Sequence, residues 1–169
     1  MSVNRRRPHV LVLPEDDANS QLANGFHLGL DQGLGQQLLA RQFQVLNVAG
    51  GWTNVLEEFL STHIAEMDRN SYRHMILLID LDGKVDRLQN AIAQVPAHLT
   101  ERVFILGALS EPEKLRPDLG DYETIGLALA KDCREGTNTT WGHRLLQHNT
   151  AELDRLRSTV RPILFPSGA

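Results

Sequence analysis

Short apolar runs alternate with amphipathic segments along most of the chain. Between the apolar runs, hydrophobic residues recur every three or four positions, which predicts helices near 18–30, 53–67 and 85–95. Thr53 is the predicted cap of the second of these helices. Such an alternation is typical of a parallel sheet covered by helices on both faces. The pattern therefore predicts a three-layer α/β/α domain with a mainly parallel sheet of four to five strands. Four of those strands are predicted at His9–Leu13, Phe43–Val48, His74–Ile79 and Arg102–Leu106.

The part of the chain after residue 110 is predicted to be mainly helical. Ser110 and Glu113 have the spacing of a capping box, and apolar positions then predict one helix through Cys133 and a long last helix from Trp141 to Val160. Arg161–Phe165 predicts a fifth strand, which Pro162 would confine to an edge. We therefore expect a single domain over 1–169, with a flexible basic tail at 1–8 and a helical C-terminal part at 111–158.

Composition narrows the class of protein. Seventeen Lys and Arg face 21 Asp and Glu in 169 residues, for a net charge of −4, which argues against a protein that coats nucleic acid by charge alone. The apolar runs are too short for a bilayer, and no apolar segment follows Arg5–Arg7 as it would in a secretory signal. The single cysteine, Cys133, cannot form an internal disulfide. We expect a cytoplasmic protein without a membrane segment, and the leucine-rich last helix leaves an oligomer open.

The predicted carboxyl ends of the strands carry an unusual number of carboxylates. In open α/β sheets this edge holds the active site, and it includes Glu15–Asp17, Gly50–Trp52 and Asp80–Lys84. Asp80 and Asp82 project to the same side if the backbone stays extended, and Glu15 or Asp17 could join them as a further ligand. An all-oxygen site of this kind suits Mg²⁺ or Mn²⁺, with the carboxylates within about 4–8 Å of a common point. The alternative is a Leu-Asp-Gly turn whose aspartates bond their own backbone.

Glu15 after a first apolar strand and Asp80-x-Asp82 after a later one resemble the Toprim domain, the metal-binding core of topoisomerases, primases and the overcoming-lysogenization-defect nucleases. The resemblance covers about residues 8–110. Asp16 stands where the family usually has glycine, and Asn19 where an acid is common. The resemblance implies a Toprim/Rossmann-like fold in which Asp80 and Asp82 hold the metal. It implies that Glu15 is a general acid/base or a further ligand.

The same resemblance implies a function. It predicts a Mg²⁺-dependent nuclease that cleaves DNA or RNA, and many nucleases of this class work with an ATPase on the same or another chain. The acidic composition fits a partner ATPase that supplies nucleic-acid contact. Lys84 and Arg87, close to the predicted site, are candidate phosphate contacts. The amides of Gly50-Gly51-Trp52 could also hold an anion, although a tight strand-to-helix turn with Trp52 packed on it explains them as well.

Two other families share parts of this pattern. Val10–Asp17 resembles the opening of response-regulator receiver domains, which implies an Asp16/Asp17 acidic pair, Asp80 as phosphoacceptor and the Ser110 hydroxyl after the fourth strand. The receiver's late Lys-Pro would have to be Arg161-Pro162. This resemblance implies a phospho-acceptor switch or a non-catalytic interaction module as the alternative to an enzyme. Ile79–Gly83 resembles the first motif of haloacid-dehalogenase phosphatases, which implies Asp80 as the nucleophile. In that case Lys131 and Asp132 would have to complete the site.

Overall fold

The structure, a computed structural model, describes residues 3–30 and 42–165. Strands and helices alternate through the first two thirds of the chain, and helices dominate the last third. The strands are β1 His9–Pro14, β2 Phe43–Val45, β3 Arg73–Leu78 and β4 Val103–Leu106. The α-helices are α1 Asp17–Leu30, α2 Trp52–Glu58, α3 Ile64–Arg69, α4 Val85–Ala93, α5 Arg116–Leu119, α6 Tyr122–Glu135 and α7 Thr150–Leu164. A π-helical turn, Phe59–His63, joins α2 to α3, and short 3₁₀ segments lie at Ala97–Arg102, Pro112–Leu115 and Gln147–Asn149.

The four strands form one parallel sheet in the order β2-β1-β3-β4. Alternate residues of each strand face opposite sides, and both sides are buried. Val10, Val12 and Ile76 pack in a core with residues of α1, α6 and α7. Leu11 and Leu13 pack in a second core with residues of α2, α3 and α4. This is the predicted three-layer α/β/α class, and burial on both faces explains why residues 10–13 of β1 and 75–78 of β3 are apolar throughout.

The strand order creates a crevice at one edge of the sheet. From β1 the chain crosses to β2 on one side and then to β3 on the other. The connections after β1 and β3 therefore diverge, which leaves space between the carboxyl ends of these two strands. In parallel α/β sheets this is the usual place for a ligand. The residues that follow β1 and β3 are Glu15 and Ile79-Asp80.

The C-terminal part differs from its prediction in two places. The predicted last strand, Arg161–Phe165, is wrong, because α7 continues to Leu164 with Pro162 inside it. Val160 and Leu164 are buried on the same face of α7 as Leu156, and this burial outweighs the poor helix propensity of proline. The predicted helix start at Trp141 is also wrong, since regular α7 begins at Thr150.

Two predicted helix caps are absent. Ser110 does not cap the 3₁₀ segment Pro112–Leu115, whose N-terminus has no side-chain cap. The Ser110 carbonyl instead accepts a hydrogen bond from the Asp82 N–H. Thr53 does not cap α2 either, because the helix already begins at Trp52 after Gly51. The second strand ends at Val45 rather than Val48, although the Leu46 N–H still bonds the Val12 carbonyl.

Helix α7 covers the open edge of the sheet. The Ile105 N–H donates to Glu152 Oε2 at 2.9 Å, and the Gly107 N–H donates to Asn149 Oδ1 at 3.2 Å. Asn149 Nδ2 returns a bond to the Gly107 carbonyl. These side chains satisfy backbone groups that an edge strand would otherwise leave open for another chain.

Helices α1 and α6 meet through glycine. A Cβ on Gly126 would lie 2.3 Å from the Leu22 carbonyl oxygen, and one on Gly25 would lie 2.5 Å from the Glu123 carbonyl oxygen. Only glycine permits this approach. Gly33 and Gly35, whose flexibility also predicts the end of the first helix, lie outside the described residues.

Residues at the N-terminus contact the domain. Val3 is buried in the second core, and Asn70 Nδ2 donates to the Arg5 carbonyl. Among the described residues, no helix has the length and apolar character needed to cross a bilayer.

Candidate metal centre

Three carboxylates meet in the crevice between β1 and β3. One oxygen from each of Glu15, Asp16 and Asp80 lies within 4.8 Å of the other two. Glu15 and Asp16 follow β1, and Asp80 follows β3 by two residues, so neighbouring parallel strands bring the three together. The predicted meeting of Glu15 and Asp80 is present. Asp16, which is not among the metal ligands predicted from the sequence, is the third member.

Glu15 is held across the crevice by backbone hydrogen bonds. Its N–H donates to the Leu78 carbonyl at 2.9 Å, which extends the pairing of β1 with β3 by one residue. Its side-chain Oε2 accepts from the Asp80 N–H at 2.6 Å. The Glu15 carbonyl accepts from the Gly50 and Gly51 N–H groups, at 2.9 and 3.3 Å. One residue thus joins the segments that follow three strands.

Asn19 links the other two carboxylates. Its backbone N–H donates to Asp16 Oδ1 at 3.0 Å, so Asp16 caps the first turn of α1. Its side-chain Nδ2 donates to Asp16 Oδ1 at 3.0 Å and to Asp80 Oδ1 at 2.9 Å. Asn19 is fully buried, and its Oδ1 has no hydrogen-bond partner among the described residues. An amide that gives both protons to carboxylates and leaves its own oxygen unpaired is suited to hold two negative groups together.

Burial and neighbouring negative charges raise the pKa values of Asp80 and Glu15. Burial raises the pKa of Asp80 from 3.8 to about 7; the Asn19 hydrogen bond opposes this shift, and the charges of Asp16, Glu15 and Glu113 add to it. Burial also raises the pKa of Glu15, against the hydrogen bond from the Asp80 N–H. A bound cation would reverse this effect, because it stabilises the ionised form of each group.

Asp82 lies outside this group of three. Its φ of 49° places the backbone in the left-handed region, so the chain does not continue extended from Asp80. Its carboxylate pairs with Arg87, with 3.0 Å between Oδ2 and Nη1. Asp82 is nevertheless close enough that its charge helps to raise the pKa of Glu15. The expectation that both aspartates of the Asp80-x-Asp82 pair project to one side assumed extended backbone, which this turn interrupts.

Arg87 is the cation that this turn binds. Its Nη1 donates to the Asp80 carbonyl at 2.7 Å as well as to Asp82. Its guanidinium lies over the Trp52 ring, 4.7 Å from the centroid. Only 10% of its side chain is exposed, and its Nε has no hydrogen-bond partner among the described residues.

The other predicted contacts lie around the crevice. Asp17 is the first residue of α1 and is exposed, and Lys84 is exposed in the turn before α4. The Gly50 and Gly51 amides already bond the Glu15 carbonyl, and Trp52 packs with Arg87. This arrangement is the tight turn of the alternative interpretation and leaves these two amides no role in anion binding.

A backbone frame fixes the turn that carries Asp80 and Asp82. The N–H groups of Leu81, Asp82 and Gly83 bond carbonyls of the segment 108–110. Gly107 lies so close to this turn that a Cβ there would be 1.6 Å from the Ile79 carbonyl oxygen. Asn149 clamps Gly107 from the other side. The helical C-terminal part therefore supports the site through Asn149.

The residues required by the other two resemblances lie elsewhere. Arg161, in the place of the receiver lysine, is in α7 and donates to the Arg134 carbonyl. Lys131 and Asp132, the pair required by the phosphatase resemblance, are in α6. The Asp132 carboxylate accepts hydrogen bonds from Thr137 Oγ1 and from the Thr140 and Trp141 N–H groups. Asp132 thus holds a loop rather than a site.

The donor set fits a hard divalent cation. All three groups offer carboxylate oxygens, the ligands that Mg²⁺ and Mn²⁺ prefer. Because burial raises the pKa values of Asp80 and Glu15, a cation beside them would favour the ionised form of both groups. Comparison with protein-family models, curated proteins and solved structures finds no match for the chain.

Proposed function

We propose that the chain is a metal-dependent phosphoryl-transfer enzyme of Toprim type, a nuclease acting on DNA or RNA. The observation that supports this best is the meeting of Glu15, Asp16 and Asp80 within 4.8 Å at the crevice between β1 and β3. Phosphodiester cleavage needs positive charge beside the phosphate and an activated water, and a divalent cation at these carboxylates supplies both.

The chain's own residues have distinct roles in this proposal. Asp16 and Asp80 bind Mg²⁺ or Mn²⁺, and Asn19 holds them in register. Glu15 is the third ligand, since its side chain is fixed by the Asp80 N–H and one of its oxygens lies within 4.8 Å of oxygens of Asp16 and Asp80. Arg87 and Lys84 offer positive charge to a phosphate on the side of α4.

The chain has few features of its own that would bind nucleic acid. The net charge is −4, and the acidic crevice itself repels phosphates until a cation is bound. We propose that a partner ATPase provides the contact with nucleic acid, as in the resembled nucleases. A lone chain that degrades plasmid DNA efficiently would remove the need for the partner.

The test is cleavage of single- and double-stranded DNA and RNA with Mg²⁺, with Mn²⁺ and with a chelator. We expect metal-dependent cleavage that is lost in Asp80→Asn. Asp17→Asn, which removes a nearby exposed carboxylate, should retain it. Transfer of phosphate from a small acyl phosphate to Asp80 without phosphodiester cleavage would instead favour the receiver-like switch. Hydrolysis of a generic phosphomonoester alone would favour a phosphatase.

A further inference from the structure

Asp82 and Arg87 form an ion pair beside the crevice. The Asp82 carboxylate is bound to Arg87 Nη1 at 3.0 Å, while the other three carboxylates of the site lie together. Asp82 holds this position in a left-handed backbone conformation, which a residue with a side chain adopts at some cost unless its surroundings fix it. Nearly half of the Asp82 side chain is exposed, so its surroundings allow it to turn.

Arg87 has the properties of a prepared anion site. Trp52 and the Asp80 carbonyl fix the guanidinium beside the carboxylates. Its Nε is buried without a partner among the described residues, so the guanidinium has hydrogen-bonding capacity that the fold does not use. Planar guanidinium groups bind phosphate through two parallel hydrogen bonds, and Asp82 supplies only one acceptor to this one.

We propose that Arg87 binds a substrate phosphate and that Asp82 is its internal substitute. A phosphate oxygen displaces Asp82 from Arg87, and the released carboxylate is free to turn toward Glu15, Asp16 and Asp80. Anion and cation then bind cooperatively. The bound phosphate neutralises the Arg87 charge that opposes the cation, and the bound cation neutralises the carboxylate charges that oppose the phosphate. This inference rests on the proposed function and adds to it the displacement of Asp82 from Arg87 and the coupling of anion binding to cation binding.

The first test uses inorganic phosphate without metal, followed by ³¹P NMR line broadening. Asp82→Asn leaves Arg87 without its carboxylate, and asparagine accepts the left-handed conformation readily. We expect this variant to bind phosphate about fivefold or more tightly than wild type. Arg87→Gln in the Asp82→Asn background should abolish this gain. Lys84→Gln should lower phosphate affinity equally with and without Asp82, and so leave the gain itself unchanged.

The second test uses Mn²⁺ alone, followed by electron paramagnetic resonance. Arg87→Gln should raise Mn²⁺ affinity in a chain that keeps Asp82 and have a clearly smaller effect in Asp82→Asn, because only a carboxylate can be released to the cation. Lys84→Gln removes a nearby charge that does not bind Asp82, and it should act equally in both backgrounds. Circular dichroism melts establish that each variant is folded. Asp82 is exposed, so the comparison of Asp82→Asn with wild type in the phosphate test does not depend on the folding of Arg87→Gln.

Two results would overturn the proposal. One is an Asp82→Asn variant that binds phosphate no more tightly than wild type does, or that binds no phosphate at all. The other is an Arg87→Gln effect on Mn²⁺ affinity that is the same in the wild-type and the Asp82→Asn backgrounds. Failure of the proposed function looks different: wild type would bind no Mn²⁺ and cleave nothing, whatever the phosphate test shows.

Discussion

The Asp80 N–H donates to Glu15 Oε2 at 2.6 Å. The side chain that follows β1 thus satisfies a backbone N–H of the segment that follows β3. The bond keeps Glu15 beside Asp80 although the negative charges of both groups oppose it. It leaves the other Glu15 oxygen free of this contact. The site is therefore assembled by backbone geometry before any cation binds.

We expect Glu15→Gln and Glu15→Ala to differ in stability. Glutamine keeps a carbonyl oxygen that can accept from the Asp80 N–H, whereas alanine leaves this N–H without a partner. An unpaired N–H in a partly buried site costs about 1–3 kcal/mol. Urea unfolding without metal should show Glu15→Gln close to wild type and Glu15→Ala clearly less stable. Equal stabilities would show that the bond contributes nothing to the fold.

Asp80→Asn should make the metal-free protein more stable at neutral pH. Asp80 has a pKa of about 7 in the folded protein and 3.8 ordinarily, so between these values the unfolded chain releases a proton that the folded chain keeps. The wild-type carboxyl therefore loses stabilising effect as pH rises from about 4 to about 7. Asparagine does not titrate, so its advantage over wild type should grow across this window and then level off.

Thermal melts of the two proteins from pH 4 to pH 8 measure this difference. Burial lowers the pKa values of His9, His74 and His148, but these histidines are the same in both proteins and their effect cancels in the comparison. With Mn²⁺ present, wild type should gain melting temperature and Asp80→Asn should not. A pH-independent difference, or an Asp80→Asn variant that melts lower throughout, would identify Asp80 as an ordinary turn residue.

Asn19 should be needed for metal affinity. Asn19→Leu keeps the size of the side chain but removes the bonds to Asp16 and Asp80. We expect Mn²⁺ affinity to fall by about tenfold or more, as for other residues that orient ligands. Asn24→Leu, at an exposed position of the same helix, is the matched control and should leave affinity unchanged. Equal affinities of Asn19→Leu and wild type would exclude a positioning role.

The contact between α1 and α6 depends on glycine. A Cβ at position 126 would lie 2.3 Å from the Leu22 carbonyl oxygen, so Gly126→Ala must push the helices apart. We expect a loss of about 1–3 kcal/mol in the free energy of unfolding. Lys131→Ala, on the exposed side of α6, should change it by less than about 0.5 kcal/mol. A neutral Gly126→Ala variant would contradict the close packing of the two helices.

The sequence predicts the fold better than it predicts the site. Buried parallel strands such as β1 and β3 leave a clear signal in apolar runs, and strand ends place Glu15 and Asp80 correctly. The positions of Asp82 and Asp16 depend on local backbone conformation. Gly83 after Asp82 was a sign of a turn there, and an acid three residues before Asn19 was a sign of a helix cap. Neither the turn nor the helix cap, predicted alone, indicates which carboxylates come together in the fold.

Other features depend on contacts between distant segments and leave no local signal. The role of Asn149 becomes visible only when α7 lies along β4, and the helical state of Arg161–Leu164 depends on burial of Val160 and Leu164. Periodicity alone gave α7 the wrong start, because Trp141 and Leu145 are buried without belonging to a regular helix.

Binding of Mn²⁺ to five metal-free proteins tests the central claim most directly. Electron paramagnetic resonance titrations would compare wild type with Glu15→Gln, Asp16→Asn, Asp80→Asn and, as the control, Asp17→Asn. We predict that wild type binds Mn²⁺, that each of the first three changes weakens binding by at least roughly tenfold, and that Asp17→Asn stays within about twofold. Absence of binding by wild type, or an equal loss in Asp17→Asn, would contradict a cation site built from Glu15, Asp16 and Asp80.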